Sequence, residues 1–384
     1  MNEIEYLEKN KLKSTKNIFI STGEISGDIH ASYLAKELFK IIPNINISGF
    51  GSTEMKKLNI NILEDLSYYS GVGLIENIRA IKPAILAYET AKKYFKENKI
   101  DLVILVDNQG FNIKLAQLTK KLNIKTIYYI GPQEWIWGIG NNWKKIIDNV
   151  DLLIAIFEKE YNFYKNKTDK VKYFGHPLKE IIVKKDKTIV KKELGYSNKK
   201  VIGIMAGSRK SEIEKLLPIF IDFSEKIKKY DNNIEIVFLI NSFWKDFILT
   251  KYKINENQVF YDNSTYYMQG CDLILCASGT ATLETAILDI PTIACYKLST
   301  FSYKIAKFLV KLDYFTLPNI ILNKKVISEF IQEEVNTSNL IKETKNIFDN
   351  NSNNILNSYK EVREKLNPKN TIENIALEIK KLFF

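Results

Sequence analysis

Arginine is scarce in this chain: Arg79, Arg209 and Arg363 are the only three among 56 basic residues. One of them stands in a turn suited to an anion, Gly207-Ser208-Arg209-Lys210-Ser211-Glu212-Ile213, directly after the apolar run Val201–Met205. A guanidinium grips two phosphate oxygens at once, and a helix N-terminus adds ~0.3–1 kcal/mol of anion preference. We therefore read Gly207, Ser208 and Arg209 as a phosphate-binding turn rather than a surface charge. A second turn of this kind is Ser278-Gly279-Thr280, which follows Leu273–Ala277. Glu284 falls one helical turn further on, where a carboxylate can accept both hydroxyls of a ribose. The competing reading of this second turn is a Ser or Thr N-cap with an acidic first turn, a device worth ~1 kcal/mol. Two such turns in one α/β half, one with an arginine, favour a nucleoside diphosphate.

The first half offers different groups. Thr22-Gly23-Glu24-Ile25-Ser26-Gly27-Asp28 follows the run Asn17–Ser21 and is neither a P-loop nor GxGxxG. It reads equally as an anion-approaching turn or as a tight turn capped by Ser26 or Asp28. Asp107 ends the run Leu102–Val106, where a carboxylate at a strand's carboxyl end serves as a general base or caps the next helix. Trp135 and Trp137, one residue apart in Gly131–Gly138, suit contact with sugar or acyl chains, or anchor a core. His30 and His176 read as unpaired, and neither is given a role.

The elements that must hold these residues are short apolar strands alternating with helices, the pattern of parallel sheets covered on both faces. In the first half the strands are Asn17–Ser21, Asn46–Phe50, Leu102–Asp107, Thr126–Ile130 and Leu152–Ile156, with helices clearest at Asp28–Ile41, Lys82–Glu97 and Phe111–Leu122. The alternation restarts with Val201–Met205, Ile234–Ile240, Val259–Tyr261, Leu273–Ala277 and Thr292–Cys295. Expected domains are 1–178, a lysine-rich connection 179–200, a second α/β domain 201–336 and a helical tail 337–384. The tail's last helix, Thr371–Phe384, places Ile372, Ile375, Ala376, Ile379 and Leu382 at helical spacing; packing back on the first domain is one arrangement open to it.

At 384 residues the chain has room for two or three domains, and 45% hydrophobic with 26% charged residues is the balance of a folded globular protein. The net charge of +11 points to anionic partners without choosing among nucleic acid, lipid or a phosphorylated small molecule. Cys271, Cys276 and Cys295 are too scattered for a disulfide framework or a metal site, which fits a reducing cytoplasm. No apolar run reaches the ~18–20 residues of a membrane span, and Met1–Lys16 lacks the apolar stretch of a signal peptide. Any membrane contact is therefore peripheral. Candidates are 301–312, where Phe301, Tyr303, Ile305, Phe308, Leu309 and Leu312 interleave with lysines, and the apolar Tyr68–Phe95; an ordinary core-facing helix is the competing reading of both.

Taken in order, these motifs resemble lipid-A-disaccharide synthase, a glycosyltransferase family with the GT-B fold. The family's Ala-Gly-Glu-x-Ser-Gly-Asp is echoed by Thr22–Asp28, and its Gly-x-x-Glu by Gly73-Leu74-Ile75-Glu76. Its Ile-Asp-x-Pro-Asp-Phe-Asn resembles Val106–Asn112, and its Tyr-Val-Ser-Pro-x-x-Trp-Ala-Trp resembles Tyr129–Trp137. Gly175-His176-Pro177-Leu178, Gly207-Ser208-Arg209 with Glu212-Ile213, Ser278-Gly279-Thr280 with Leu283-Glu284, Leu317-Pro318-Asn319 and Glu329–Glu334 complete a collinear series.

The resemblance implies two Rossmann-like α/β domains with an interdomain cleft and C-terminal helices. It implies inverting, metal-independent and cofactor-free transfer of diacylglucosamine from UDP-2,3-diacylglucosamine to the 6-hydroxyl of diacylglucosamine 1-phosphate (lipid X). The products would be UDP and the β-1,6-linked lipid A disaccharide 1-phosphate. By carry-over Asp107 is the base, and Gly207, Ser208, Arg209, Ser278, Gly279, Thr280, Glu284 and Asn319 hold UDP. Gly23, Glu24, Ser26, Trp135 and Trp137 border the acceptor side. The implied setting is the cytoplasmic face of the inner membrane of a Gram-negative-type bacterium, with a homodimer among the assemblies allowed. The chain departs from the family at Gln109 for proline, Gly110 for the second aspartate, Gly131 for serine, Asn141 and Asn142 for basic residues, and Ala206 for proline. The rival readings are another UDP-sugar GT-B enzyme, such as an epimerase or a glycosyltransferase with a different acceptor, and a basic nucleic-acid-binding protein. The last is disfavoured because the charge is spread evenly and no nucleic-acid motif is present.

Overall fold

The structure, a computed structural model, describes residues 15–67, 74–137, 141–298, 313–366 and 369–384. The expected amphipathic segment 301–312 lies outside the described residues, as do 68–73 and Gly138. The chain divides into two compact units, one running to Glu180 and taking back the end of the chain, the other built on Ile181–Leu366.

In the first unit, strands β1 (Lys16–Thr22), β2 (Ile45–Phe50), β3 (Asn61–Glu64), β4 (Leu102–Val106), β5 (Lys125–Tyr129), β6 (Leu152–Ala155) and β7 (Val171–Tyr173) form one sheet in the order 3-2-1-4-5-6-7. Every pair is parallel. The run Leu-Val-Ile-Leu-Val of β4 is buried throughout, as a central parallel strand with helices on both faces must be. On one face Phe19 meets Phe50 and Phe95 edge-on at 5.1 and 4.9 Å, and Phe50 meets Phe111 at 5.8 Å. Edge-to-face contacts of this kind suit the aromatic quadrupole.

The second unit repeats the plan with β8 (Lys200–Met205), β9 (Ile234–Ile240), β10 (Val259–Tyr261), β11 (Leu273–Ala277), β12 (Thr292–Tyr296) and β13 (Ser328–Ile331), in the order 10-9-8-11-12-13 and again all parallel. Of 179–200, read from sequence as a connection, Lys187–Glu193 is a helix capped by the Asp186 carboxylate (2.7 Å to the Thr188 N–H). Its Lys191 pairs with Asp272 at 2.7 Å, so this stretch packs within the second unit. Helices Thr337–Asn346 and Ser352–Lys365 belong to the same unit, where Arg363 bonds the Ala286 carbonyl (3.1 Å) and the Asp289 carboxylate.

The last helix, Thr371–Phe383, lies instead on helix Ile25–Ile41 of the first unit, burying Ile372, Ile375, Ala376 and Ile379. Its orphan N-terminal N–H groups are met by Glu180, which accepts from Thr371 and from Ile372 (3.2 Å). Leu382, expected on the buried face, is half exposed because it falls in the final turn, past the contact. The helix expected from Lys82 begins earlier, at Leu74, and runs through Pro83, a residue that ordinarily marks a helix start.

Candidate active site

Both sheets reverse their strand order beside their first strand, and ligands of such sheets bind at that switch point, outside the carboxyl ends of the strands. In the first unit the switch lies between β1 and β4, in register at Thr22 and Val106. The turns following those strands carry Gly23, Glu24 and Ser26 on one side and Asp107 on the other. Glu24, Ser26 and Asp107 are all half-buried.

The Asp107 turn is strained and clamped. Asp107 and Asn108 both adopt left-handed backbone, φ +50° and +46°, a conformation uncommon outside glycine that persists where surroundings enforce it. Here the Asp107 N–H donates to the Ile130 carbonyl at 3.1 Å, and its carbonyl accepts from the Tyr128 hydroxyl and the Asn112 amide, both at 2.8 Å. Burial raises the Tyr128 pKa well above the usual phenol range, so the hydroxyl stays a donor. Asn112 is fully buried; it also donates to the Val106 carbonyl (3.1 Å) and accepts from the Ser21 hydroxyl (2.7 Å), stapling β4 to β1 at the switch. Gly23 completes the fit, since a Cβ there would stand 1.8 Å from Asn108 Nδ2.

The neighbouring turn, after β5, holds Trp135, half-buried, with its indole N–H on Gln133 Oε1 at 2.7 Å and its ring 5.7 Å from Phe157. Trp137 ends the short helix Glu134–Trp137, and its side chain lies outside the described residues. Glu134, which sequence reasoning passed over, is buried and accepts a hydrogen bond from Gln109, joining this turn to the one after β4. Burial raises its pKa. Asp28, expected as a local cap, instead accepts from the N–H groups of Ser52 and Glu54 (2.7 Å each), so it caps the helix after β2. The two histidines read as unpaired are neighbours: both are buried, with ring centroids 6.2 Å apart. Burial lowers the pKa of both, that of His30 to about 4.

In the second unit the switch lies between β8 and β11, in register at Met205 and Cys276. The turn after β8 is Gly207-Ser208-Arg209, and Arg209 is the N-cap of helix Lys210–Tyr230. The turn after β11 brings Ser278, Gly279 and Thr280 to the start of helix Thr280–Ile287, with Gly279 exposed at φ +152°. Both anion-competent turns therefore flank one switch point. Ser278 is fixed from both ends, its N–H on the Cys295 carbonyl (3.0 Å) and its hydroxyl on the Phe315 carbonyl (3.3 Å). Glu284 accepts from the Thr265 hydroxyl at 3.0 Å, and burial raises its pKa. Asn319 differs from the rest. It is fully buried, and its amide bonds the N–H groups of Val326 (2.7 Å) and Ile327 (2.9 Å) and the Ile327 carbonyl (3.0 Å), closing the loop between helix Leu317–Leu322 and β13. Among the described residues no three His, Cys, Asp or Glu side chains gather as metal ligands would.

Two doubly wound parallel-sheet units, each presenting polar or charged turns at its switch point, are the GT-B architecture of UDP-sugar enzymes. The Methanocaldococcus jannaschii UDP-GlcNAc 2-epimerase in complex with UDP-GlcNAc and UDP superposes with a TM-score of 0.63, covering 96% of this chain and 99% of that one at 15% identity, a likeness that shows the fold alone. The sequence is far more specific. A lipid-A-disaccharide synthetase family profile matches residues 18–382. The lipid-A-disaccharide synthase of Sulfurihydrogenibium sp. (strain YO3AOP1) is 36% identical, over 96% of this chain and 98% of its own length. That of Persephonella marina (strain DSM 14350 / EX-H1) is 37% identical over 85% and 87%. The chain belongs to the lipid-A-disaccharide synthase family and is a glycosyltransferase.

Proposed function

We propose that this chain transfers 2,3-diacylglucosamine from its UDP donor to the 6-hydroxyl of lipid X, releasing UDP and the β-1,6-linked disaccharide 1-phosphate. What carries the reading is the family match along residues 18–382 together with one half-buried carboxylate, Asp107, held in a clamped turn at a switch point. Asp107 takes the proton of the acceptor hydroxyl, whose oxygen then attacks the anomeric carbon. The bond from that carbon to the diphosphate breaks with inversion, and both electrons leave with UDP. Negative charge accumulates on the departing diphosphate. The Arg209 guanidinium and the N–H groups at Gly207, Ser208, Gly279 and Thr280 are the groups suited to meet it, while Ser278, its own N–H bonded to the Cys295 carbonyl, holds the second turn in place.

Glu284 takes the ribose hydroxyls, the Thr265 hydroxyl orienting its carboxylate. Asn319 acts through the loop it closes, because its amide is already bonded to residues 326 and 327. Gly23, Glu24, Ser26, Trp135 and Trp137 border the acceptor. Both substrates carry acyl chains, so the enzyme works at the cytoplasmic surface of the inner membrane. No described helix is long and apolar enough to cross a membrane, and the exposed Ile81, Ile85 and Leu86 (53, 57 and 58%) suit peripheral contact. Incubating the protein with UDP-2,3-diacylglucosamine and lipid X in detergent, followed by mass spectrometry, tests the reaction. The disaccharide 1-phosphate is the expected product; UDP release that does not depend on lipid X would overturn the acceptor.

A further inference from the structure

The anion-binding groups of the Gly207-Ser208-Arg209 turn already hold an anion of the chain's own. Glu212 Oε2 accepts from the backbone N–H groups of Ser208 (3.2 Å) and Arg209 (3.3 Å), while Oε1 accepts from Arg209 Nη1 at 3.0 Å. The approach depends on glycine at 207, whose φ is +114° and where a Cβ would stand 2.4 Å from Glu212 Oε2. The ion pair is largely shielded, its side chains 19 and 12% exposed. Two convergent N–H groups and a guanidinium form the donor set that a phosphate oxygen requires. A phosphate and the carboxylate cannot use the same hydrogen bonds at once.

We propose that Glu212 is a resident placeholder for the donor's phosphate and thereby sets donor selectivity. The carboxylate keeps the turn and Arg209 arranged around an anion in the empty enzyme and must leave when the diphosphate enters. A diphosphate brings more charge and more acceptor oxygens than the carboxylate it displaces, whereas a ligand without phosphate gains nothing from the turn. This inference rests on the reading of the 207–209 turn as the diphosphate site.

Glu212 also sits at N3 of helix Lys210–Tyr230, where its carboxylate accepts from the N-cap Arg209 N–H, the glutamate half of a capping box. Glutamine accepts the same bond without the charge, so Glu212→Gln separates the two roles. The test is calorimetric titration of UDP and of uridine into the full chain, Glu212→Gln and Arg209→Ala, with a thermal melt of each. Glu212→Gln is expected to melt with the parent, to bind UDP about five- to tenfold more tightly, as when one charge-assisted contact need no longer be broken, and to leave uridine affinity unchanged. Glu212→Ala, which loses the cap as well, is expected to shift UDP affinity the same way at a lower melting temperature. UDP affinity that is unchanged or weaker in Glu212→Gln, or uridine affinity that rises equally, overturns the placeholder. Arg209→Ala separates the two levels: if it leaves UDP binding intact, the phosphate reading of the turn fails; if it weakens binding while Glu212→Gln does not tighten it, the placeholder alone fails.

Discussion

Replacing Asn112 by alanine is the sharpest structural perturbation of the Asp107 turn that leaves Asp107, the proposed base, in place. The Asn112 amide reaches the carbonyls of Val106 and Asp107 and accepts from Ser21, at a site with no solvent access. Alanine leaves the Ser21 hydroxyl without its acceptor and the Asp107 carbonyl with Tyr128 as its remaining side-chain donor. Each buried polar group left unpaired costs about 1–3 kcal/mol. Two or three of them, partly relieved by water entering the space, give an expected destabilisation of about 3 kcal/mol. The local consequence is larger in proportion. Two successive left-handed residues store about 1–3 kcal/mol each, and the Asn112 bond is one of the contacts that keep them so. Urea unfolding monitored by circular dichroism gives the first quantity, and steady-state transfer with parallel UDP titration gives the second. We expect kcat to fall at least tenfold while UDP affinity is unchanged, because the turns proposed to hold the diphosphate are in the other unit. A variant that is destabilised yet turns over at the parent rate would refute the claim that this staple positions Asp107.

Gly23→Ala presses on the same turn from the opposite side. With a Cβ 1.8 Å from Asn108 Nδ2, the Asn108 side chain must move, and kcat should fall with UDP affinity intact; an unaltered kcat in the alanine variant argues against contact between the two turns. A pH effect follows from His30. Its folded pKa of about 4 lies below the ordinary histidine value, so the unfolded chain takes up a proton first as the pH falls. Stability should therefore decline between about pH 6.5 and 4, by roughly 3 kcal/mol from this residue, with the buried His176 acting in the same direction. His30→Gln should flatten that decline in urea titrations run across the range, and an unchanged slope removes His30 as its source.

The central strands were legible because parallel strands buried on both faces are continuous apolar runs: β9 and β11 begin and end where the sequence pattern does. The strands that escaped notice, β3, β7 and β13, are three or four residues long, half-exposed and at or near sheet edges, where no apolar run is needed. Asp107 and the glycine turns were visible as residue types at strand ends. What positions them was not. The Ser21 partner of Asn112 lies 91 residues away, and the bonds of Glu134 to Gln109 and of Asn319 to residues 326 and 327 are set by the fold. A glutamate three residues after the turn arginine, at the N3 position of the following helix, was the available signal for Glu212. The return of the last helix to the first unit depends on Glu180 meeting Thr371 across 191 residues, a pairing that helical periodicity cannot disclose.

The most direct test of the account compares Asp107→Ala with the parent protein in two assays on the same preparation: formation of the disaccharide 1-phosphate from UDP-2,3-diacylglucosamine and lipid X, and titration with UDP. If Asp107 is the base, the variant binds UDP as the parent does and forms product at least a hundredfold more slowly, the scale of a lost general base. Parent-like product formation by Asp107→Ala would contradict the assignment, and with it the role given to the clamped turn at the first switch point.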